Sequence, residues 1–446
     1  MLQSLLPLGV ALLGATSVLA QDPPTCGLDK KCPKETPCCS QYNQCGVGAF
    51  CLGGCDPRMS FSLDSCLPAP TCKDKTYKMD SLDRYKDISE YLGDPSTADW
   101  VGQGEPLIYN GNTLLTMPPK SVGTVLATTT YMWYGNVKAR MKTSKGAGVV
   151  TAFILFSDVK DEIDYEWVGV DLNTVQTNYY FQGITDYTQS GNISVADSYN
   201  EFHDYEIQWT PDQITWLVDG KVGRVKKRAD TWNATSNQWN FPQTPSRVQI
   251  SLWPGGLETN AKGTIDWAGG KIDWNSDEIK KNGYYYATFG EIKVECYKTS
   301  SAPGTNKGIS YSYSDISATN NTVVDGNKPT TIKSLLATGL DTTKGDPAKD
   351  KGNAAQSSAV YAVPGGGVGT GNVPGTDKNE GSDSGSGSSG SGSGSSTSAS
   401  ECAKTGFSQS CDGSSGQVNG NDAVRVSGLG ASGLAAFISI AGLLLL

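Results

Sequence analysis

ITWLVDGK, residues 214–221, is the stretch on which the fold class turns. In an extended chain Ile214, Trp216 and Val218 fall on one side, and Thr215, Leu217 and Asp219 on the other. Asp219-Gly220 then supplies a two-residue hairpin turn, because both of its central positions favour residues that tolerate positive φ. Further out, VVTAFILF (149–156) suits a strand buried on both faces, and GEIKVECY (290–297) places Ile292, Val294 and Cys296 on one side. Helical periodicity is scarce; SLDRYKDISEYL (81–92) is the best short candidate. Many short strands with frequent turn residues predict an all-β domain. The expected form is a β-jelly-roll sandwich with a concave cleft, accompanied by a small disulfide-rich N-terminal module.

Composition divides the chain. Of twelve cysteines, nine lie between Cys26 and Cys72, a density that marks a disulfide scaffold in an oxidising compartment. The apolar run at residues 1–20 ends in Val18 and Ala20 and reads as a signal peptide. Residues 21–70 form the cysteine module and 71–298 the β domain. Residues 299–420, rich in Gly, Ser and Thr, are expected to be a disordered stalk, with Cys402 and Cys411 pairing locally. Residues 421–446 have the small-residue, spacer and apolar-tail pattern of a GPI-attachment signal, with Asn421 as the candidate anchor. Sequons stand at Asn192, Asn233 and Asn320. Cys72 and Cys296 bracket the β domain and are expected to clasp its ends.

The net charge of -9 and the absence of a basic run argue against nucleic-acid partners. A single histidine, His203, argues against a multi-His metal site or a Ser-His-Asp machine with a spare histidine. The sharpest feature is DEIDYEWVG (161–169). On a strand, Glu162, Asp164 and Glu166 share one face, and Ile163, Tyr165 and Trp167 the other. A plain solvent face would normally mix Lys, Thr and Ser, and a flat strand cannot easily wrap three carboxylates around a calcium ion. Glycoside cleavage, in contrast, needs one carboxylate nucleophile and one carboxylic acid. A third carboxylate between them helps keep a proton on the acid.

This Glu-x-Asp-x-Glu array resembles the active strand of glycoside hydrolase family 16. HDYEIQWTPDQITWLVDGK (203–221) looks like that family's strand-turn-strand segment, and QTNYYFQG (176–183) is similar to a subsite-lining segment of its plant xyloglucan transglycosylase branch. STADW, DEIDYEWVG, SLWPGG and KGTIDWAGGKIDW together resemble the fungal Crh family, which links chitin to β-glucan in cell walls. The resemblance implies Glu162 as nucleophile, Glu166 as general acid/base and Asp164 as assisting carboxylate. It implies Trp253 and Trp267 as sugar platforms, Gln176 and Asn178 as hydrogen-bonding subsite residues, and Tyr179, Arg224 and Trp274 as weaker subsite candidates. Trp209 and Trp216 read as core, and His203 as a structural or subsite residue. Around Cys26, Cys32, Cys38, Cys39, Cys45, Cys51, Cys55 and Cys66, the segment CCSQYNQCG resembles a hevein-type chitin-binding module. There Ser40, Tyr42 and Phe50 fit sugar-contacting positions, while Gln44 stands where a further aromatic is usual.

The expected protein is a monomeric, GPI-anchored, secreted transglycosylase of the fungal cell wall. It would act on chitin and β-1,3/β-1,6-glucan, contact the membrane only through its anchor, and need no cofactor or metal. The alternatives are a simple hydrolase of the same fold and a non-enzymatic wall lectin or adhesin.

Overall fold

The computed structural model describes residues 23–349. The signal segment, the Cys402/Cys411 pair, Asn421 and the C-terminal apolar segment lie outside the described residues. Two eight-stranded sheets stack to form a jelly-roll sandwich. The first, here the cleft sheet, runs across Gly191–Ser194, Thr174–Tyr180, Glu162–Val168, Val149–Ser157, Ser246–Pro254, Thr124–Thr128, Trp100–Gln103 and Tyr85–Asp87. The second, the outer sheet, contains Gln213–Val218, His203–Trp209, Gly135–Lys142 and Tyr285–Cys296 at its centre.

Alternation decides what fills the space between the sheets. Ile163, Tyr165 and Trp167 point inward and join Phe153, Trp209, Trp216, Ile292 and Val294 in one aromatic-rich core. Each such fully buried side chain contributes about 1.5–3 kcal/mol. Two polar tips inside this core are satisfied across the sheets. Tyr165 donates to the Leu217 carbonyl at 2.8 Å, and the Trp216 indole donates to the Asp164 carbonyl at 3.0 Å. The hairpin expected at 219–220 is present, with φ of 51° at Asp219 and 73° at Gly220. His203 is structural: its two ring nitrogens bond the Asp219 carboxylate at 2.7 Å and the Ala196 carbonyl at 2.6 Å.

Among the described residues five disulfides are formed: Cys26–Cys39, Cys32–Cys45, Cys38–Cys51, Cys55–Cys66 and Cys72–Cys296. The last closes a separation of 224 residues and ties the two ends of the sandwich together. In the chain-entropy picture, so long a loop is worth about 5 kcal/mol.

Two expectations are corrected. Residues 81–92 form no helix; Tyr85–Asp87 pairs parallel with Trp100–Gln103 instead. Asp87 accepts from the amide and hydroxyl of Ser89, a local turn that competes with helix. Tyr91 is buried in the hydrophobic cluster of the cysteine module, against which Ile88 and Leu92 also pack. Nor does the stalk begin at 299. Ser310–Tyr313 pairs with Val323–Gly326 and with Ala69–Pro70, and Tyr311 enters the main core. Beyond it, Ile332, Leu335 and Ala337 pack on Phe50 and Leu52. Composition missed this strap because a few apolar anchors and borrowed strand partners suffice to order a polar segment.

Candidate active site

Strand register lays out the floor of the concave face. Glu162, Asp164 and Glu166 stand opposite Phe156, Ile154 and Ala152 on one neighbour. On the other neighbour they face Tyr180, Asn178 and Gln176. Ile154 and Ala152 in turn face Gln249 and Ser251, which lead to Ala127 and Val125, and then to Val101 and Gln103. Two transverse rows thus cross the sheet through Asp164 and Glu166. They are short on the side of Gly191–Ser194 and four strands long on the other.

The acid strand is pinned at its start. The Asp161 carboxylate accepts from the amides of Gln182, Gln243 and Thr244 and from the Thr244 hydroxyl, at 2.7–3.0 Å. Such a carboxylate fixes three loops at once and holds Glu162 in place. Burial pushes the Glu166 carboxyl well above the usual carboxylate range, and the charge of Glu162 adds to the rise. Burial likewise raises Asp164, reinforced by Glu162 and Glu166 on either side. Asp164 and Glu166 therefore hold protons that isolated carboxyls would lose, which equips Glu166 to donate.

Beyond Glu166 lies an aromatic pair, but with Trp253 2% and Trp267 4% exposed neither is the open sugar platform expected from the sequence. Trp253 and Trp267 stack with centroids 6.0 Å apart, and the Trp267 indole donates to Gln176 Oε1 at 2.8 Å. Trp267 comes from the short helix Lys262–Trp267, which packs over Val150 and Val168. Asn178 donates to the Tyr180 hydroxyl at 2.8 Å. The structure thus gathers Glu162, Asp164, Glu166, Gln176, Asn178, Trp253 and Trp267 around one cleft.

It does not bring Tyr179 and Arg224 there. Tyr179 pairs with Ile163 and is buried on the inner face, its hydroxyl donating to Gln189. Arg224 sits on the outer sheet, 4.6 Å over the Trp216 ring, and donates to Thr177. Both are packing residues. Trp274 packs against the main core beside Tyr285. In the cysteine module Phe50 is only 1% exposed, covered by the strap, so it presents no face to a sugar. Ser40 and Tyr42 lie beside the cleft sheet instead of on a free surface. Sequence reasoning missed Tyr180, Gln249 and Ser251; the alternation of QISLWP (249–254) carried the signal for the last two. Asn192 is exposed on the edge strand opposite Gln176, Asn233 lies in a short surface strand, and Asn320 begins a turn of the strap.

A jelly roll with a carboxylate row on its concave face defines a carbohydrate-cleaving enzyme. Residues 95–269 match the model for glycosyl hydrolases family 16. The chain is 64% identical over 323 residues to "Crh-like protein 3" of Botryotinia fuckeliana (strain B05.10), covering 72% of this chain and 73% of that one. It is 52% identical over 378 residues to "Crh-like protein 2" of Aspergillus fumigatus, covering 84% and 85%. Among solved structures, "Apo Crh5 transglycosylase" aligns at 30% identity and a TM-score of 0.49, covering 60% of this chain and 99% of that chain. The chain belongs to the Crh-like family within glycosyl hydrolases family 16, and is an enzyme of glycosidase or transglycosylase type.

Proposed function

We propose that the protein is a retaining transglycosylase that cleaves a β-1,4-linked N-acetylglucosamine chain and transfers it to β-glucan. The observation that carries this reading is the row Glu162, Asp164, Glu166 on the concave face, with a proton favoured at Glu166. Glu166 protonates the leaving glycosidic oxygen while Glu162 attacks the anomeric carbon and forms a glycosyl-enzyme. The departing sugar leaves as an alcohol. Glu166, now ionised, takes the proton of an incoming glucan hydroxyl, which displaces Glu162 and restores a β linkage. Asp164, protonated beside Glu162, limits repulsion along the row while the nucleophile stays charged.

Gln176 and Asn178 stand opposite Glu166 and Asp164 and suit sugar hydroxyls. Trp253 and Trp267 are buried behind Gln176, where the Trp267 indole holds Gln176 Oε1 in position. The five disulfides suit a secreted, wall-facing protein, and the GPI attachment expected at residues 421–446 would hold it there. The test combines N-acetylglucosamine oligomers with fluorescent β-1,3-glucan oligosaccharides and reads products by mass. Labelled hybrids from the wild type and none from Glu162→Gln are expected. Shortened donor without hybrids would instead identify a hydrolase, and no change in either sugar a lectin.

A further inference from the structure

The cysteine module is not a free tether. It is seated on the end of the cleft sheet nearest Glu162. Arg247, on the concave face, donates to Gln41 Oε1 at 3.1 Å. Asp158 accepts from the Gly54 amide at 2.7 Å and from the Tyr131 hydroxyl at 2.6 Å. Arg58 reaches Gln182 at 3.1 Å and the Val159 carbonyl at 2.8 Å, and Lys160 donates to Asn43 at 2.6 Å. The approach is close enough that a Cβ on Gly53 would meet the Arg247 guanidinium at 2.5 Å. On the module's other side the strap is just as tight: a Cβ on Gly48 would lie 2.2 Å from the Leu335 carbonyl oxygen. Two sets of contacts therefore fix the module's orientation.

In that orientation Ser40 and Tyr42 line one recess together with Val101, Gln103, Ala127 and Gln249 of the cleft sheet. These sheet residues are the long arm of the transverse rows that start at Asp164 and Glu166. A second observation points to a ligand. Gln249 is 1% exposed, yet its side-chain nitrogen has no hydrogen-bond partner. The Ser251 hydroxyl next to it on the same face is in the same condition. Buried donors are nearly always satisfied, and a pair left open along a glycan-enzyme floor marks a place where ligand oxygens complete them. At about 4.8 Å per strand, Gln249 lies about 10 Å from the acid strand, and Gln103 about 19 Å.

We propose that the module and the catalytic sheet form one continuous glycan cleft. In it Tyr42 and Ser40 on one wall and Gln249 and Gln103 on the other make a remote subsite for the same chain that Glu162 and Glu166 cut. The ligand is a β-1,4-linked pyranose bearing hydroxyl or acetamido oxygens, so the assignment rests on the donor proposed above. Tyr42 supplies a ring face, and Gln249 donates to a sugar oxygen. The module thereby selects chains long enough to span several strands, and a single chain occupies module and active site together.

The test uses the full chain carrying Glu162→Gln, titrated calorimetrically with N-acetylglucosamine trimer and hexamer. One hexamer per protein is expected, binding more tightly than the trimer. Tyr42→Ala is expected to weaken hexamer binding on the order of tenfold and Tyr42→Phe to restore it. Gln249→Leu is expected to weaken it as well while raising the Tm, because the leucine removes an unsatisfied buried amide. A purely structural glutamine would lower the Tm. Two independent hexamer sites, with Tyr42→Ala abolishing one and leaving the other unchanged, would overturn the continuous cleft while leaving the enzymatic reading intact. Wild-type enzyme that cuts some other β-glycan, with neither oligomer bound by the Glu162→Gln protein, would overturn the donor assignment and the subsite with it.

Discussion

The sandwich and the cysteine module present two solutions to one problem, holding a few polar groups rigidly in place. The sandwich does it with mass. Ile163, Tyr165 and Trp167 sink into a large aromatic core, and the acids on the reverse of the same strand inherit its rigidity. The module is too small for that. Four disulfides, each closing a separation of 11 or 13 residues, replace the missing core. It then borrows further apolar contact from the strap through Phe50, Leu52, Ile332 and Leu335. The sandwich should thus fail chemically before it fails structurally, and the module the other way round.

The largest expected effect falls on the sandwich and leaves its fold alone. Glu166→Gln should lower turnover by about 10²–10⁴-fold in a reducing-end assay, with an unchanged circular dichroism spectrum. In the wild type kcat/KM should fall as pH rises through the Glu166 pKa, which lies above the usual carboxylate range. The module shows the opposite pattern. Replacing Cys38 and Cys51 together by serine should cost about 2–5 kcal/mol. Differential scanning calorimetry should then resolve an early module transition, with the sandwich transition near its original temperature. Leu335→Ala, which opens the strap's contact on Phe50, should cost about 2–3 kcal/mol. Faster amide exchange should be concentrated in residues 46–52, not across the sheets.

The smallest effect is a stabilisation. Asp164 has a folded pKa above its unfolded one, so its ionised form opposes folding at neutral pH. That opposition begins to shrink as pH falls below the raised pKa and is gone only below the unfolded-state value. Asp164→Asn should therefore raise the Tm at pH 7 by about 2–4 °C and lose the advantage progressively in acid. A Tm lowered at pH 7 would mean that the carboxylate is paired and stabilising.

How much of this was legible in the sequence follows the same division. Alternation alone placed Glu162, Asp164 and Glu166 on one face and their aromatic neighbours on the other. Asp219-Gly220 announced its hairpin. Parity also held a warning: if Gln176 and Asn178 face the cleft, Tyr179 cannot, and it lies beside Lys226 on the far side. Arg224 was beyond reach, because its place over Trp216 depends on a register shift between Trp216 and Leu217 that no local pattern encodes. Phe50 fits its expected position in the module, yet residues 332–337 cover it, a non-local event. The strap itself was hidden by composition. Its strands are short, and their partners lie far off at Ala69–Pro70.

The central claim is that Glu162 becomes covalently linked to the donor sugar. The most direct measurement incubates the Glu166→Gln enzyme with an activated N-acetylglucosamine oligomer, then quenches in acid and maps peptides by mass. A glycan adduct on the peptide containing Glu162, absent after Glu162→Gln, is the predicted result. Turnover that persists in Glu162→Gln with no adduct on any peptide would contradict it, because the donor's own acetamido group would then be acting as the nucleophile.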